Sequence, residues 1–310
     1  MGVRRAVEMA DAAISTAATE TDVSAEGSLP QGRLPIYTLG PLIHNPHALA
    51  SLSRRGIKIL NESALSTDSP CAESLAGAVV IIRAHGTSPA TENLLRELNV
   101  NIIDATCPRV KESQNTAFTL AKKGYTVFIA GEKDHAEVKG IYGYVMAASK
   151  IPCVIAGNPE EAGQEARELK QRSGQSDNET IPVKTALIGQ TTISADEYFA
   201  IAEAIKLHFP DLEIKNTICG ATKARQKALK ELCSLVNTVI IAGGKDSANT
   251  RRLLAIAKSC GIPAWLVENA SEIPELLLQL PETTETITIG LSAGASTPDS
   301  VIDEIEHALL

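Results

Sequence analysis

Six cysteines and six histidines carry much of the chemistry this sequence could perform, and their spacing narrows what that chemistry is. The cysteines are Cys71, Cys107, Cys153, Cys219, Cys233 and Cys260, no two closer than 14 residues. No CxxC pair occurs, which excludes zinc-finger and thioredoxin-type sites, so a metal centre would have to gather thiols from distant segments. Cys107 and Cys219 each stand immediately before a segment with helical patterning. A thiol at that place faces unpaired backbone N–H groups and the positive end of the helix dipole, which favours the thiolate and readies the sulfur for a metal. The other four are read as small buried hydrophobes in a reducing compartment. Cys233 lies about four helical turns beyond Cys219, too far to share a centre with it.

The elements that must position these groups repeat along the chain. Three apolar runs, Ile36 to Leu39, Thr126 to Ala130 and Thr238 to Ala242, each end at a glycine, Gly40, Gly131 and Gly243, and read as short buried strands. Four residues past each glycine comes a polar side chain, His44, His135 and Ser247 respectively. Cys107 lies 24 residues before Gly131, and Cys219 lies 24 before Gly243, so two units share cysteine, helix, strand, turn and polar residue in register. After Cys107 the spacing predicts a helix with Pro108 in its first turn, a face of Val110, Ala117, Phe118 and Ala121, and Gly124 at its C-terminal cap. The opening residues Met1 to Ala10 align with these helices if Val3 matches Val110 and Arg4 matches Lys111. The equivalent cysteine would then stand just before Met1. The repeat therefore predicts a ligand that this chain lacks.

Composition excludes several classes. With 44% apolar and 21% charged residues the chain is neither disordered nor fibrous. Ten aromatic residues leave a core of Ala, Val, Ile and Leu, which suits α/β packing and leaves no stacking platform for bases. A net charge of −8 opposes a broad footprint on nucleic acid or anionic lipid, so an anionic ligand would need a local pocket. No uncharged apolar stretch reaches the roughly 18 residues of a membrane span, and the start lacks the apolar segment of a signal peptide, which predicts a cytoplasmic protein.

The ordered series Gly40-Pro-Leu-Ile-His44-Asn45, Ala84-His85-Gly86, Asp104-Ala-Thr-Cys107-Pro108, His135-Ala-Glu137, Gly189-Gln-Thr191-Thr192, Cys219 and Ser292-Ala-Gly-Ala-Ser296 resembles the 4-hydroxy-3-methylbut-2-enyl diphosphate reductases of the methylerythritol phosphate route to isoprenoids. The resemblance runs essentially over residues 1–310. It implies an α/β fold of three pseudo-repeated units in a trefoil around a central cluster and substrate pocket. The resemblance implies units at 1–106, 107–214 and 215–297, the first lacking its initial strand and its cysteine through a start at an internal methionine or a truncation, with a C-terminal helix at 298–310 packing back on the first. It implies an iron–sulfur cluster, [4Fe-4S], with Cys107 and Cys219 as metal ligands, and ferredoxin or flavodoxin as electron donor, since no nicotinamide fingerprint is present. An iron left open by three-cysteine ligation suits reductive removal of an allylic hydroxyl.

By the same resemblance Glu137 is the proton source and Thr191, beside Thr192, positions the substrate hydroxyl. His44, His85 and His135 follow strands, where α/β loops present ligand contacts. With Ser247, Ala248, Asn249 and Ser296 they are candidates for the diphosphate, Ala248 through its backbone N–H alone. His135 is counted with Glu137 and Thr191 in the catalytic group. Cys71, Cys153, Cys233 and Cys260, with His47, His208 and His307, are read as packing or surface residues. Two alternatives are another three-unit cluster enzyme such as quinolinate synthase, and an inactive diphosphate-binding relic lacking one cluster cysteine.

Overall fold

Strands that are apolar at all or nearly all positions, such as Val79–Ile82 and Thr238–Ala242, must be covered on both faces, and this is the pattern of parallel sheets flanked by helices. The computed structural model describes residues 2–19, 34–42, 46–62, 65–66, 75–174, 183–278 and 286–310, and places these strands in three sheets whose pairings are all parallel. The first sheet holds β1 (Ile36–Leu39), β2 (Ile57–Leu60), β3 (Val79–Ile82) and β4 (Asn101–Asp104) in the order β2-β1-β3-β4. The second holds β5 (Thr126–Ala130), β6 (Cys153–Ala156), β7 (Thr185–Gly189) and β8 (Glu213–Ile214) in the same relative order, β6-β5-β7-β8. The third holds β9 (Thr238–Ala242), β10 (Ala264–Val267) and β11 (Ile289–Ala293) as β10-β9-β11.

The first sheet has four strands, like the second, and among the described residues the third has three. β4, which leads to Cys107, pairs with β3, and β8, which leads to Cys219, pairs with β7, so each closes the sheet that precedes its cysteine.

The helices are α1 (Gly2–Thr19), α2 (Pro46–Arg54), α3 (Pro89–Glu97), α4 (Pro108–Lys122), α5 (Ala136–Ala148), α6 (Pro159–Gly174), α7 (Ala195–Lys206), α8 (Gly220–Cys233), α9 (Ala248–Ser259), α10 (Ile273–Leu277) and α11 (Asp299–Leu309). Alternate strand residues feed opposite cores. In the first sheet Ile36 and Ile81 pack with Ala6 and Ala10 of α1, while Leu39, Val80 and Ile82 pack with Leu95 of α3. In the second, Val127, Ile129 and Ile188 meet Ala117 and Leu120 of α4 and Val138, Ile141 and Val145 of α5. Burying each such Val, Leu or Ile contributes about 1.5–3 kcal/mol.

Packing divides the chain into two compact units. One comprises Met1–Leu42, Ala50–Gln190 and Asp196–Thr217 with the first two sheets, and the other comprises Ile43–Leu49, Thr191–Ala195 and Ile218–Leu310 with the third. Within the second unit, Val301 and Ile305 of α11 pack with Ile240, Ala242, Val267 and Ile273. The C-terminal helix therefore spends its apolar face on the third sheet, and the expectation that it packs on the first is corrected. The predicted face of α4 also changes: Phe118 is only half-buried, whereas Ser113 and Gln114 are buried, because α4 covers α5 as well as the sheet.

Candidate functional site

Cys107 caps the N-terminus of α4 with an extended backbone, and its side chain makes no hydrogen bond to its own helix. Its N–H donates to the carbonyl of Ala84 (2.9 Å), which fixes it beside the loop that carries His85. The preceding turn is held by Asp104, whose carboxylate accepts from the Thr106 N–H (2.9 Å) and the Thr106 hydroxyl, with Lys111 Nζ at 3.5 Å. Burial pushes the Asp104 carboxyl upward, but the two Thr106 bonds and the Lys111 ammonium outweigh it and hold the group below its ordinary range. The first residue of α1 lies against the sulfur: a Cβ added at Gly2 would stand 2.8 Å from Cys107 Sγ.

His85 and His135 meet edge to face, with 5.0 Å between ring centroids. His135 caps α5, its Nδ1 accepting the Glu137 N–H at 3.2 Å, so a neutral ring carries its proton on Nε2. Glu137 occupies the first turn of α5 and is 1% exposed. The dipole at this helix start favours negative charge. In the turn before α5, fully buried Gln190 accepts the Glu132 N–H through Oε1 at 3.1 Å.

In the second unit, Cys219 repeats the geometry of Cys107. It caps α8 without a side-chain bond to the helix, and its N–H donates to the carbonyl of Thr191 at 2.9 Å. Thr191 is buried, and the Thr192 hydroxyl accepts from Arg252 Nη1 at 3.3 Å. Ser247 caps α9, accepting the Thr250 N–H (3.4 Å), and Ala248 and Asn249 follow it, buried in the first turn. Gly243 and the loop bearing Ser296 close around them: Cβ atoms added at Gly243 and Gly294 would stand 2.9 and 2.3 Å from Thr250 Oγ1. A helix N-terminus walled by small residues presents backbone N–H groups to an anion.

The structure thus groups Cys107, His85, His135 and Glu137 in one unit and Thr191, Thr192, Cys219, Ser247, Ala248, Asn249 and Ser296 in the other. His44, Asn45 and Cys71 lie outside the described residues. Sequence reasoning missed Gln114, Thr87, Thr250 and Thr297. The repeat register held one signal: a glutamine stands seven residues after each cysteine, Gln114 and Gln226, and both are buried. The donor chemistry fits an iron–sulfur centre, since Cys107 and Cys219 are free, partly exposed thiols at helix starts and are soft ligands. Among the described residues no group of three or more His, Cys, Asp and Glu comes together as a metal site.

The family model described as LytB protein matches residues 1–310. The chain belongs to the LytB family. A LytB relative from Treponema denticola, a 4-hydroxy-3-methylbut-2-enyl diphosphate reductase, is 41% identical over 309 residues, covering 100% of this chain and 95% of the relative. The reductase of the same name from Aquifex aeolicus is 34% identical, covering 99% and 91%. A LytB structure described as (E)-4-hydroxy-3-methyl-but-2-enyl diphosphate reductase, the terminal enzyme of the non-mevalonate pathway, superposes with a TM-score of 0.63 at 31% identity over 100% of this chain and 94% of the other. The fold is also that of the Plasmodium falciparum reductase, with a TM-score of 0.77 over 99% of this chain and 84% of the other at 24% identity. Among the described residues of this LytB chain no helix is long and apolar enough to cross a membrane.

Proposed function

We propose that this chain is a 4-hydroxy-3-methylbut-2-enyl diphosphate reductase. The reaction adds two electrons and two protons, breaks the C4–O bond, and releases water with isopentenyl or dimethylallyl diphosphate. Family membership sets the reaction class, and the observation that carries it to this chain's residues is Glu137, buried in the first turn of the helix that His135 caps, with His135 meeting His85 edge to face. Loss of hydroxide as water needs a proton, and a buried carboxyl beside a site can hold one at neutral pH.

Glu137 donates that proton and His135 orients it. Thr191, with Thr192 next to it, holds the substrate hydroxyl. Ser247, Asn249 and Ser296, with the N–H of Ala248, bind the diphosphate at the start of α9, joined by His44, His85 and His135. Cys107 and Cys219 are the residues of this chain that would hold a [4Fe-4S] cluster, which when bound supplies single electrons and a Lewis-acidic iron. The reading takes ferredoxin or flavodoxin as donor, the cytoplasm as location, and repeated units at 1–106, 107–214 and 215–297.

The test is anaerobic: cluster-loaded protein, reduced methyl viologen and the allylic diphosphate. Substrate-dependent viologen oxidation with release of the two five-carbon diphosphates is expected. Loaded protein that binds the substrate and leaves viologen reduced would sink the reading in favour of a binding relic.

A further inference from the structure

We propose that Gln114 is a positioning residue that sets the distance between the His85 loop and the Glu137 helix. The inference rests on the reductase reading for its kinetic part only. Gln114 sits two turns into α4 and is fully buried. Its Nε2 donates to the carbonyl of Thr87 at 3.3 Å, and Thr87 follows His85 and Gly86 directly. The carboxamide is flanked by two glycines. A Cβ added at Gly86, where φ is +69°, would stand 2.5 Å from Gln114 Nε2, and one added at Gly140 would stand 3.1 Å from the same atom and 3.4 Å from the Thr87 carbonyl oxygen. Gly140 lies on α5, three residues after Glu137.

One planar amide therefore fills a slot whose two walls are the backbones carrying His85 and Glu137, and it is anchored on the helix that starts at Cys107. Any larger wall residue, or a filler without the donor, changes the spacing of the walls. A plain packing role would have been served by an apolar side chain, yet this position keeps an amide whose Oε1 has no hydrogen-bond partner among the described residues. The matching Gln226, seven residues after Cys219, is also buried, with its Nε2 unpartnered among the described residues.

The experiment uses Gln114→Met, which keeps the volume and removes the donor, and Gly140→Ala, which presses on the amide from the other wall. Alanine is the better helix former but its Cβ crowds Gln114 Nε2 at 3.1 Å, so the readouts are kinetic and spectroscopic rather than the melting temperature. On the positioning view both variants keep the parent KM and lose kcat by about tenfold or more, since misplacement by a fraction of an ångström is costly at a reacting centre. Both also move the ring-current-shifted imidazole proton signals of His85 and His135, read by NMR without substrate. A parental kcat in either folded variant, or parental imidazole signals, would overturn the proposal. If Gln114→Met does not fold, Gly140→Ala alone decides. A parent protein that shows no turnover removes the reductase reading, and the imidazole signals still decide the geometry.

Discussion

The Nδ1 of His135 accepts the Glu137 N–H at 3.2 Å while its ring packs on the edge of His85 at 5.0 Å. One side chain thus closes a helix start and joins a pair of site imidazoles. The two roles separate by substitution. His135→Ala removes the cap and is expected to cost about 0.5–2 kcal/mol, whereas His135→Asn restores a capping oxygen. Thermal melts should show the parent Tm largely recovered in the Asn variant, with turnover lost in both. Recovery of turnover along with Tm would reduce His135 to a cap.

Glu137→Gln keeps the size and burial of the side chain and removes its acidity. If it supplies the proton, kcat falls by about 10²–10⁴-fold at saturating substrate, with diphosphate binding unchanged by calorimetry. Parental turnover in the glutamine variant would assign the proton to another group.

Gly243 adopts φ +146°, and a Cβ there would stand 2.7 Å from Thr297 Oγ1. Gly243→Ala is predicted to lose more than about 1 kcal/mol in urea titrations, through backbone strain and displacement of Thr297. Because Thr250 is pressed too, inorganic diphosphate should bind more weakly. An alanine variant with parental midpoint and affinity would mean that the turn relaxes freely.

Asp104 titrates below its ordinary range in the fold because the Thr106 bonds and Lys111 overcome burial. A lowered folded value means stability that is complete above the unfolded pKa and drains away as pH falls through the folded one. The urea midpoint should therefore drop more steeply in acid for the parent than for Asp104→Asn. Parallel acid limbs would show that this turn contributes no pH dependence.

Thiol reactivity should sort by burial. Burial alone pushes the Cys153 thiol up to about 12, and burial with the neighbouring Cys260 pushes Cys233 up to about 11. Cys260 is exposed, which departs from its reading as a buried hydrophobe. Iodoacetamide at pH 8 should label Cys260 and spare Cys153 and Cys233. Cys107 and Cys219 should resist labelling in cluster-loaded protein and become reactive after chelation. Labelling of both before chelation would remove them as ligands.

Local order was legible from the amino-acid sequence alone. Strands covered on both faces are continuous apolar runs, so Thr126–Ala130 and Thr238–Ala242 stand out, and Pro108 with Gly124 brackets α4. The cysteine at each helix start follows from the repeat, and the ordered motifs sufficed for the family. What only the tertiary structure decided is which surfaces meet. β4 and β8 close the sheets before their cysteines, α11 covers the third sheet, Glu137 is buried, and Gln114 fills a slot between two glycines. Propensity and periodicity depend on neighbours within a few residues, and they say that a helix has an apolar face. Which sheet that face covers, and which polar side chain is trapped between two backbones, depends on burial summed over contacts far apart in the chain.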